Sequence, residues 1–431
     1  MYLLLAAILL LAPLPAPLPQ LAPRQTVIGF SAQGRPIAAL TFGNGPRKLA
    51  LVGDTHGAPE ANTYRLLLLL ADELAAQPQQ IPPSLRLVVV PTLNPDGLAN
   101  GSRLNARGVD LNRNMNSDLD ACPENDWRVR VQGAGGFPAD TGGPFPDSEP
   151  ESLALRNLLL DADAAIFYHS NAGLVFPALC DDGPSEALAQ TYAAGAGYAY
   201  SRFWDRYTIS GGAHDWAASL GIASVIPELV TGNQEEFAQN LGGLRAVLET
   251  FDAIAPTRPD PIESGVVVPQ AIWRFWRMNG GAARFGPPLA PAQTDGQLVR
   301  QQFANAIIER HDDRRDAAYF VELAPLGRAA AERAGLPPPA APAPGARFFP
   351  ETQHNLGGGF LGLWERGGGL GSYGYPLTEE IARRDGRTIQ YFERAIFVYS
   401  PQDGTIGLEP LGWYAACDAQ LRAARPAQTI R

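Results

Sequence analysis

Lysine is almost absent from this chain of 431 residues, and histidine and cysteine are scarce. Lys48 is the single lysine, while the chain has five histidines and three cysteines. Charged residues make up 18% of the sequence and the formal net charge is −10, which excludes an extended basic surface for nucleic acid. Hydrophobic residues make up 45%, which is enough for a large core and excludes a chain that is disordered throughout.

The apolar run at the N-terminus is too short for a comfortable membrane span. Residues 2–11 read YLLLAAILLL, and the prolines from Pro13 to Pro19 prevent a helix from continuing. We therefore predict a signal peptide over residues 1–24, a secreted or cell-envelope location, and no stable transmembrane span in the mature chain. The alternative interpretation is an ordinary buried N-terminal helix.

Residues 86–114 combine a buried strand with a loop that carries anion-binding side chains. The apolar, β-branched residues 86–93 end at the turn sequence Asn-Pro-Asp-Gly, as a buried strand does. Arg103, Asn112 and Arg113 follow in SRLNARGVDLNRN and supply forked or amide donors, which suit a carboxylate or an oxyanion. This loop therefore predicts a site for an anionic group.

Several predicted strands end beside residues that can do chemistry. These strands and the residues that follow them are 48–52 before His56, 86–93 before Arg103, 164–168 before His169, and 223–226 before Glu228. A helix predicted over residues 60–76 separates the first two strands, so the pattern describes a βαβ unit and a parallel sheet. In open α/β sheets ligands bind beyond the carboxyl ends of the strands, so we expect these residues to meet in one crevice.

These motifs and their order resemble the zinc carboxypeptidases, the family of the pancreatic carboxypeptidases and the bacterial murein peptide amidases. The resemblance covers about residues 25–255 and implies an α/β fold with a mixed, mostly parallel sheet flanked by helices. It also implies one zinc ion held by His56, Glu60 and His169, a recognised ligand set for catalytic zinc. The spacing in HGAPE is one residue longer than the family's H-x-x-E.

The resemblance assigns roles to further residues. It implies that Glu228 is the general base, that Arg103 stabilises the oxyanion, and that Asp110 orients a zinc-ligating imidazole. The substrate-binding residues that it implies are Asn112 and Arg113 at the terminal carboxylate, Tyr207 over the substrate, and His214 in the specificity pocket. Cys122 and Cys180 would be the pair for one internal disulfide in this region, which fits an exported protein.

Beyond a proline-containing linker the chain repeats itself. The segment that begins at Trp276 aligns without a gap with the segment that begins at Trp364, and the motifs QQFANAI and LAPLG recur as QYFERAI and LEPLG. These copies resemble the LGFP-type repeats of exported bacterial proteins, which implies binding to a cell-wall or cell-surface component. The alternative is a small β-rich domain with ordinary core aromatics. The predicted divisions are linker and repeat 1 over 256–335, a Pro/Ala-rich linker over 336–347, repeat 2 over 348–417, and a tail over 418–431.

The sequence therefore predicts an exported zinc metallocarboxypeptidase that hydrolyses the C-terminal bond of peptides and carries a separable C-terminal retention module. Two alternatives remain open. One is a murein peptide amidase or endopeptidase that acts on cell-wall peptides. The other is a catalytically degenerate cell-surface binding protein in which the repeats are the functional part.

Overall fold

The structure is a computed structural model that describes residues 23–133, 137–180, 183–335 and 337–424. The predicted signal peptide lies outside these ranges, except for its last two residues, and so does the end of the predicted tail. Within the described ranges, no helix combines the length and the apolar character needed to cross a membrane.

The first part of the chain alternates strands with helices. Its strands are β1 (Arg24–Phe30), β2 (Pro36–Phe42), β3 (Arg47–Val52), β4 (Leu85–Val90), β5 (Val131–Gln132), β6 (Pro138–Ala139), β7 (Ala164–Phe167), β8 (His169–Ser170), β9 (Leu174–Pro177), β10 (Ala199–Tyr200) and β11 (Ala223–Leu229). Its helices are α1 (Ala61–Ala76), α2 (Pro95–Asn100), α3 (Pro150–Leu158), α4 (Pro184–Ala196), α5 (Ala213–Ser219) and α6 (Phe237–Ile254).

In the described part of the chain, nine of these strands form one mixed sheet, and β5 and β6 form a separate two-stranded antiparallel sheet. The strand order is β1-β2-β4-β3-β7-β11-β9-β10, with β8 paired to β11. The pairs β4-β3, β3-β7 and β7-β11 at the centre are parallel, whereas β1-β2, β2-β4 and β11-β9 are antiparallel. The predicted fold class is confirmed, and the predicted strands agree with the observed ones to within a few residues.

The central strands are apolar because both faces of the sheet are covered. In β3, Leu49 and Leu51 join the hydrophobic cluster formed with helices α1, α4 and α6. Ala50 and Val52 point to the opposite face and join a second cluster that includes Trp216 of α5. Helices on both faces leave the carboxyl edge of the strands as the open side, and this edge carries the residues discussed below.

Among its described residues, the C-terminal part builds two four-stranded and two two-stranded antiparallel sheets. Its strands are β12 (Ile262–Glu263), β13 (Val266–Val267), β14 (Gln293–Asp295), β15 (Leu298–Gln302), β16 (Ile307–His311), β17 (Val321–Leu323), β18 (Arg347–Phe349), β19 (His354–Leu356), β20 (Ile381–Ala382), β21 (Thr388–Tyr391), β22 (Ile396–Ser400) and β23 (Thr405–Leu408). Its helices are α7 (Gln270–Met278), α8 (Gly281–Phe285), α9 (Leu326–Ala334), α10 (Gly358–Arg366), α11 (Gly369–Tyr373) and α12 (Leu411–Ala424). The four-stranded sheets are β14-β15-β16-β17 and β20-β21-β22-β23.

The two aligned segments make the same hydrogen bond at corresponding positions. The indole Nε1 of Trp276 donates to the carbonyl oxygen of Gly286 at 3.0 Å, and that of Trp364 donates to the carbonyl oxygen of Gly374 at 3.0 Å. The sheets also pack reciprocally, with Gly327 of α9 against the turn between β21 and β22, and the start of α12 against the turn between β15 and β16. Each half therefore covers part of the other.

The C-terminal part is also joined to the first part by buried polar contacts. Asp316 is fully buried and forms ion pairs with Lys48 of β3 and Arg86 of β4, each at 2.9 Å. The guanidinium group of Arg274 in α7 donates to the carbonyl oxygens of Leu160, Ala162 and Leu220. One hydrophobic cluster contains residues of both parts. Because of these contacts, we expect the C-terminal part to fold together with the first part and not as a separable module.

The buried ion pairs predict that Asp316 supports the catalytic sheet. We expect Asp316→Asn to lower the free energy of unfolding by about 3 kcal/mol, because two buried cations lose a counter-charge. Urea unfolding of the full chain measures the change. Asp140→Asn is the matched control, since Asp140 pairs with Arg130 where both side chains are at least 65% exposed, and such pairs contribute little. Equal stability of the two variants would contradict the structural role of Asp316.

Candidate active site

The segment HGAPE folds as a tight turn between β3 and α1. Gly57 has a φ of 56°, and a Cβ at this position would collide with the carbonyl oxygen of Ser102. The residues Ala58–Glu60 form a single 3-10 turn with Pro59 near its start, and α1 begins one residue later than predicted. The turn absorbs the additional residue of the motif and leaves Glu60 beside His56.

Three predicted metal ligands form one buried cluster. His56 Nδ1 lies 2.7 Å from Glu60 Oε1, and His169 Nδ1 lies 3.0 Å from Glu60 Oε2. The two Nδ1 atoms are 3.1 Å apart, and one potential ligand atom from each residue lies within 4.8 Å of the others. Two imidazole nitrogens and a carboxylate that point at one place match the donor set of a catalytic zinc site.

Asp110, the predicted supporting carboxylate, contacts both His56 and Arg103. Asp110 Oδ1 is 3.1 Å from His56 Nε2, and Asp110 Oδ2 accepts a hydrogen bond from Arg103 Nε at 3.1 Å. If the lone pair of His56 Nδ1 faces a metal, Nε2 carries the proton and donates it to Asp110, which fixes the ring orientation. Although burial alone would raise the pKa of Asp110, the charges of Arg103 and His56 hold it well below its ordinary value.

The three cluster residues differ in charge state. Burial and Arg103 alone would lower the pKa of His56, but Glu60 and Asp110 raise it above its ordinary value, so a metal would replace a proton on this ring. Burial alone would raise the pKa of Glu60, but His56 and His169 lower it well below the ordinary value, so Glu60 is a carboxylate. Burial lowers the pKa of His169 to about 4, which keeps its imidazole neutral and able to bind a metal.

Glu228 lies next to this cluster on the neighbouring strand. It is the register partner of His169 in the parallel pairing of β11 with β8. Its side chain is half-buried, and burial together with the charge of Glu60 raises its pKa to about 8. Glu228 is not a member of the ligand cluster, so it is a second carboxyl group beside the predicted metal ligands.

The predicted carboxylate-binding residues lie on the other side of His169. Asn112 Nδ2 is 3.5 Å from His169 Nε2, and Asn112 Oδ1 accepts a hydrogen bond from the main-chain N–H of Ala213. Arg113 is only 1% exposed, and its guanidinium carbon lies 5.8 Å from the ring centre of Tyr207. Tyr207 is therefore a neighbour of Arg113.

His214 lines a cavity of 310 Å³ that begins beside Tyr207. Sequence reasoning did not identify the aromatic walls of this cavity, Phe176 and Trp204, whose rings lie 5.3 Å apart. Phe176 also packs edge-on against His214, and burial lowers the pKa of His214. The carboxyl groups of Glu124, Asp205 and Asp215 line the cavity as well. Its walls are therefore aromatic and acidic in part, with a neutral imidazole among them.

A family model for zinc carboxypeptidases matches residues 16–245, more than half of the chain. The chain belongs to the zinc carboxypeptidase family. This zinc metallopeptidase has its ligand cluster, Glu228 and Arg113 inside the matched range. No curated protein matches the chain.

Several solved structures have a similar fold. Bovine thrombin-activatable fibrinolysis inhibitor, in complex with a tick carboxypeptidase inhibitor, is 20% identical with a TM-score of 0.43, over 54% of this chain and 89% of its own. A murein-tripeptide amidase from Escherichia coli O157 is 24% identical with a TM-score of 0.38, over 52% and 91%. A metallo-carboxypeptidase from Burkholderia cenocepacia is 18% identical with a TM-score of 0.42, over 55% and 66%. Likeness at this level concerns the fold and does not identify the substrate.

The second group of potential ligands in the described residues is not a metal site. Cys122 and Cys180 are joined by a disulfide, so their sulfur atoms cannot act as thiolate ligands beside Glu124. The pairing also agrees with the predicted disulfide. Cys417 is free and exposed.

The cluster predicts about one zinc per chain, and removal of the ion should destabilise the fold because it leaves three buried ionisable side chains without their cation. We expect His169→Ala to lose most of its zinc and to show no further fall in Tm when a chelator is added. His214→Ala is the matched control, since it also removes a buried histidine but lies outside the cluster. Metal analysis and thermal unfolding measure both effects, and equal zinc contents would contradict the assigned ligands.

Proposed function

We propose that this protein is an exported metallocarboxypeptidase that hydrolyses C-terminal peptide bonds. The observation that carries the proposal is the arrangement of Glu228 and Arg103 on the ligand cluster, with Arg113 and an aromatic cavity beside it. A carboxypeptidase needs a proton-transfer group at the scissile bond and a cation for the terminal carboxylate, and this site supplies both.

Glu228 is the residue for proton transfer in this proposal. When bound, the zinc ion supplies Lewis-acid chemistry, which polarises a carbonyl group and makes water more acidic. Glu228 accepts a proton from the attacking water and gives it to the leaving amine. Burial and the charge of Glu60 raise the pKa of Glu228 to about 8, which suits the transfer of a proton to the amine. The charge of a bound cation would lower this pKa and favour the carboxylate that accepts the first proton.

Arg103 and Arg113 have separate electrostatic roles. Arg103 Nη1 and Nη2 lie 3.3 Å from Glu60 Oε1 and 2.8 Å from His56 Nε2, so its guanidinium lies at the cluster and can stabilise an oxyanion there. Arg113, with Asn112, binds the terminal carboxylate, and Tyr207 covers it. The cavity with His214 receives the last side chain of the substrate.

Export and surface retention are part of the proposal. The disulfide between Cys122 and Cys180 supports export, because such bonds persist in oxidising compartments. We propose that the two four-stranded C-terminal sheets bind a cell-wall or cell-surface component. A murein peptide amidase remains the second outcome of the assay below, because His214 and the acidic groups in the cavity leave the preferred side chain open.

An assay with paired substrates tests the proposal. The full chain is offered a blocked dipeptide with a free carboxylate, the same dipeptide as its amide, and a muropeptide. Preference for the free dipeptide supports a carboxypeptidase. Activity restricted to the muropeptide would establish the amidase, and the absence of activity in zinc-loaded protein would favour a binding protein.

Glu228→Gln should retain zinc and fold but lose roughly 10²- to 10⁴-fold in kcat, because the amide has nearly the same shape and cannot accept the proton. Glu249→Gln is the matched control, since Glu249 is an exposed residue of α6. Steady-state kinetics with metal analysis measure the effect. Unchanged kcat in Glu228→Gln would remove this residue from the mechanism.

Arg113→Ala should weaken the use of free-carboxylate substrates far more than that of amidated ones, because a bidentate contact exists with the carboxylate alone. Arg113→Lys should lie between Arg113→Ala and the wild type, since it keeps the charge and loses the fork. The ratio of kcat/KM for the two substrates measures the effect. Equal losses on both substrates would argue against exopeptidase action.

A further inference from the structure

Gln132 contacts two parts of the substrate-binding side of the site, and the proposed mechanism gives it no role. It is the last residue of β5, which pairs antiparallel with β6. Its main-chain carbonyl oxygen accepts a hydrogen bond from Arg113 Nε at 3.0 Å. Its side-chain Oε1 accepts one from the main-chain N–H of Thr208, the residue after Tyr207, at 2.9 Å. One residue thus connects Arg113 to the loop of Tyr207.

The chain segment before Gln132 holds the same loop at its other end. The main-chain N–H of Gly211 donates to the carbonyl oxygen of Asn125 at 2.9 Å. A Cβ at Gly211 would lie 3.1 Å from Cδ1 of Trp127, so the backbone passes close to this indole. The segment is anchored by the disulfide of Cys122. Gln132 therefore belongs to a segment that contacts the Tyr207 loop at both of its ends.

The position of this loop controls access to Arg113. Arg113 is 1% exposed, and Tyr207 lies over its guanidinium group. Its Nη1 donates to the carbonyl oxygen of Asn112 at 2.7 Å, so with the bond to Gln132 two main-chain carbonyls orient the side chain. A carboxylate can reach this group only where the loop leaves room, so a shift of Thr208 changes the space between Tyr207 and Arg113.

We propose that Gln132 is a positioning residue that sets the distance between Arg113 and Tyr207 and thereby the affinity for the terminal carboxylate of the substrate. This inference rests on the proposed carboxypeptidase function. Among the described residues, the side chain of Gln132 makes its hydrogen bond to the Thr208 loop and not to the ligand cluster or Glu228. Its loss should therefore change substrate binding and leave the chemical step nearly intact.

Gln132→Met tests the inference, because methionine keeps the length of the side chain and removes the acceptor. We expect KM for the free-carboxylate dipeptide to rise roughly three- to tenfold, as for one lost hydrogen bond, with kcat within about twofold of the wild type. Gln190→Met is the matched control, since this exposed glutamine of α4 also loses one side-chain hydrogen bond, to Glu186. Gln132→Asn moves the acceptor away from Thr208 and should act in the same direction.

The outcomes separate the inference from the proposed function. Raised KM in both Gln132 variants, with zinc content and Tm equal to those of Gln190→Met, supports the positioning role. KM values equal to that of the control, or a fall in kcat without a rise in KM, would overturn the positioning role of Gln132. The proposed function would still stand in that case if the wild-type enzyme prefers substrates with a free carboxylate. A wild-type enzyme that ignores the terminal carboxylate overturns the proposed function and this inference together.

Discussion

The buried carboxylate of Glu60 imposes the constraint on which the site depends. A buried carboxylate needs compensation from charge or hydrogen bonds, and Glu60 obtains it from His56, His169, Arg103 and the main-chain N–H of Ser170. These partners come from segments that are distant in the sequence. The adjacency of β3 and β7 in the parallel sheet brings them together at one edge, so sheet order and site assembly are a single requirement.

Much of this arrangement could be read from the sequence, because it depends on local patterns. Apolar strands that end at His56, His169 and Glu228 indicated both the sheet and the crevice. The conformation of HGAPE could not be read in the same way. Glycine is required at position 57 because the backbone there passes close to the carbonyl oxygen of Ser102, which is distant in the sequence. Gln132 also escaped notice, because one of its two contacts uses the main chain and leaves no pattern in the side chains.

The C-terminal part shows where sequence reasoning fails for a physical reason. Asp316 stands in the charged run HDDRRD, which has the composition of a solvated surface loop, yet it is fully buried. Its partner Lys48 is the single lysine of the chain and is fully buried too. Composition alone cannot distinguish an exposed charge from one that is matched by a distant partner, because the match exists only in the folded chain.

The reciprocal packing of the two four-stranded sheets makes each repeat depend on the other. A Cβ at Gly327 would strike the carbonyl oxygen of Phe392, and one at Gly412 would strike that of Phe303. Both glycines stand at the end of the matching motifs LAPLG and LEPLG, and both carbonyls belong to the matching motifs QYFERAI and QQFANAI. The last helix of each copy, α9 or α12, thus packs against the sheet of the other copy. This arrangement resembles a domain swap between two subunits, here within one chain. A lone copy would therefore leave its glycine without the backbone that it packs against.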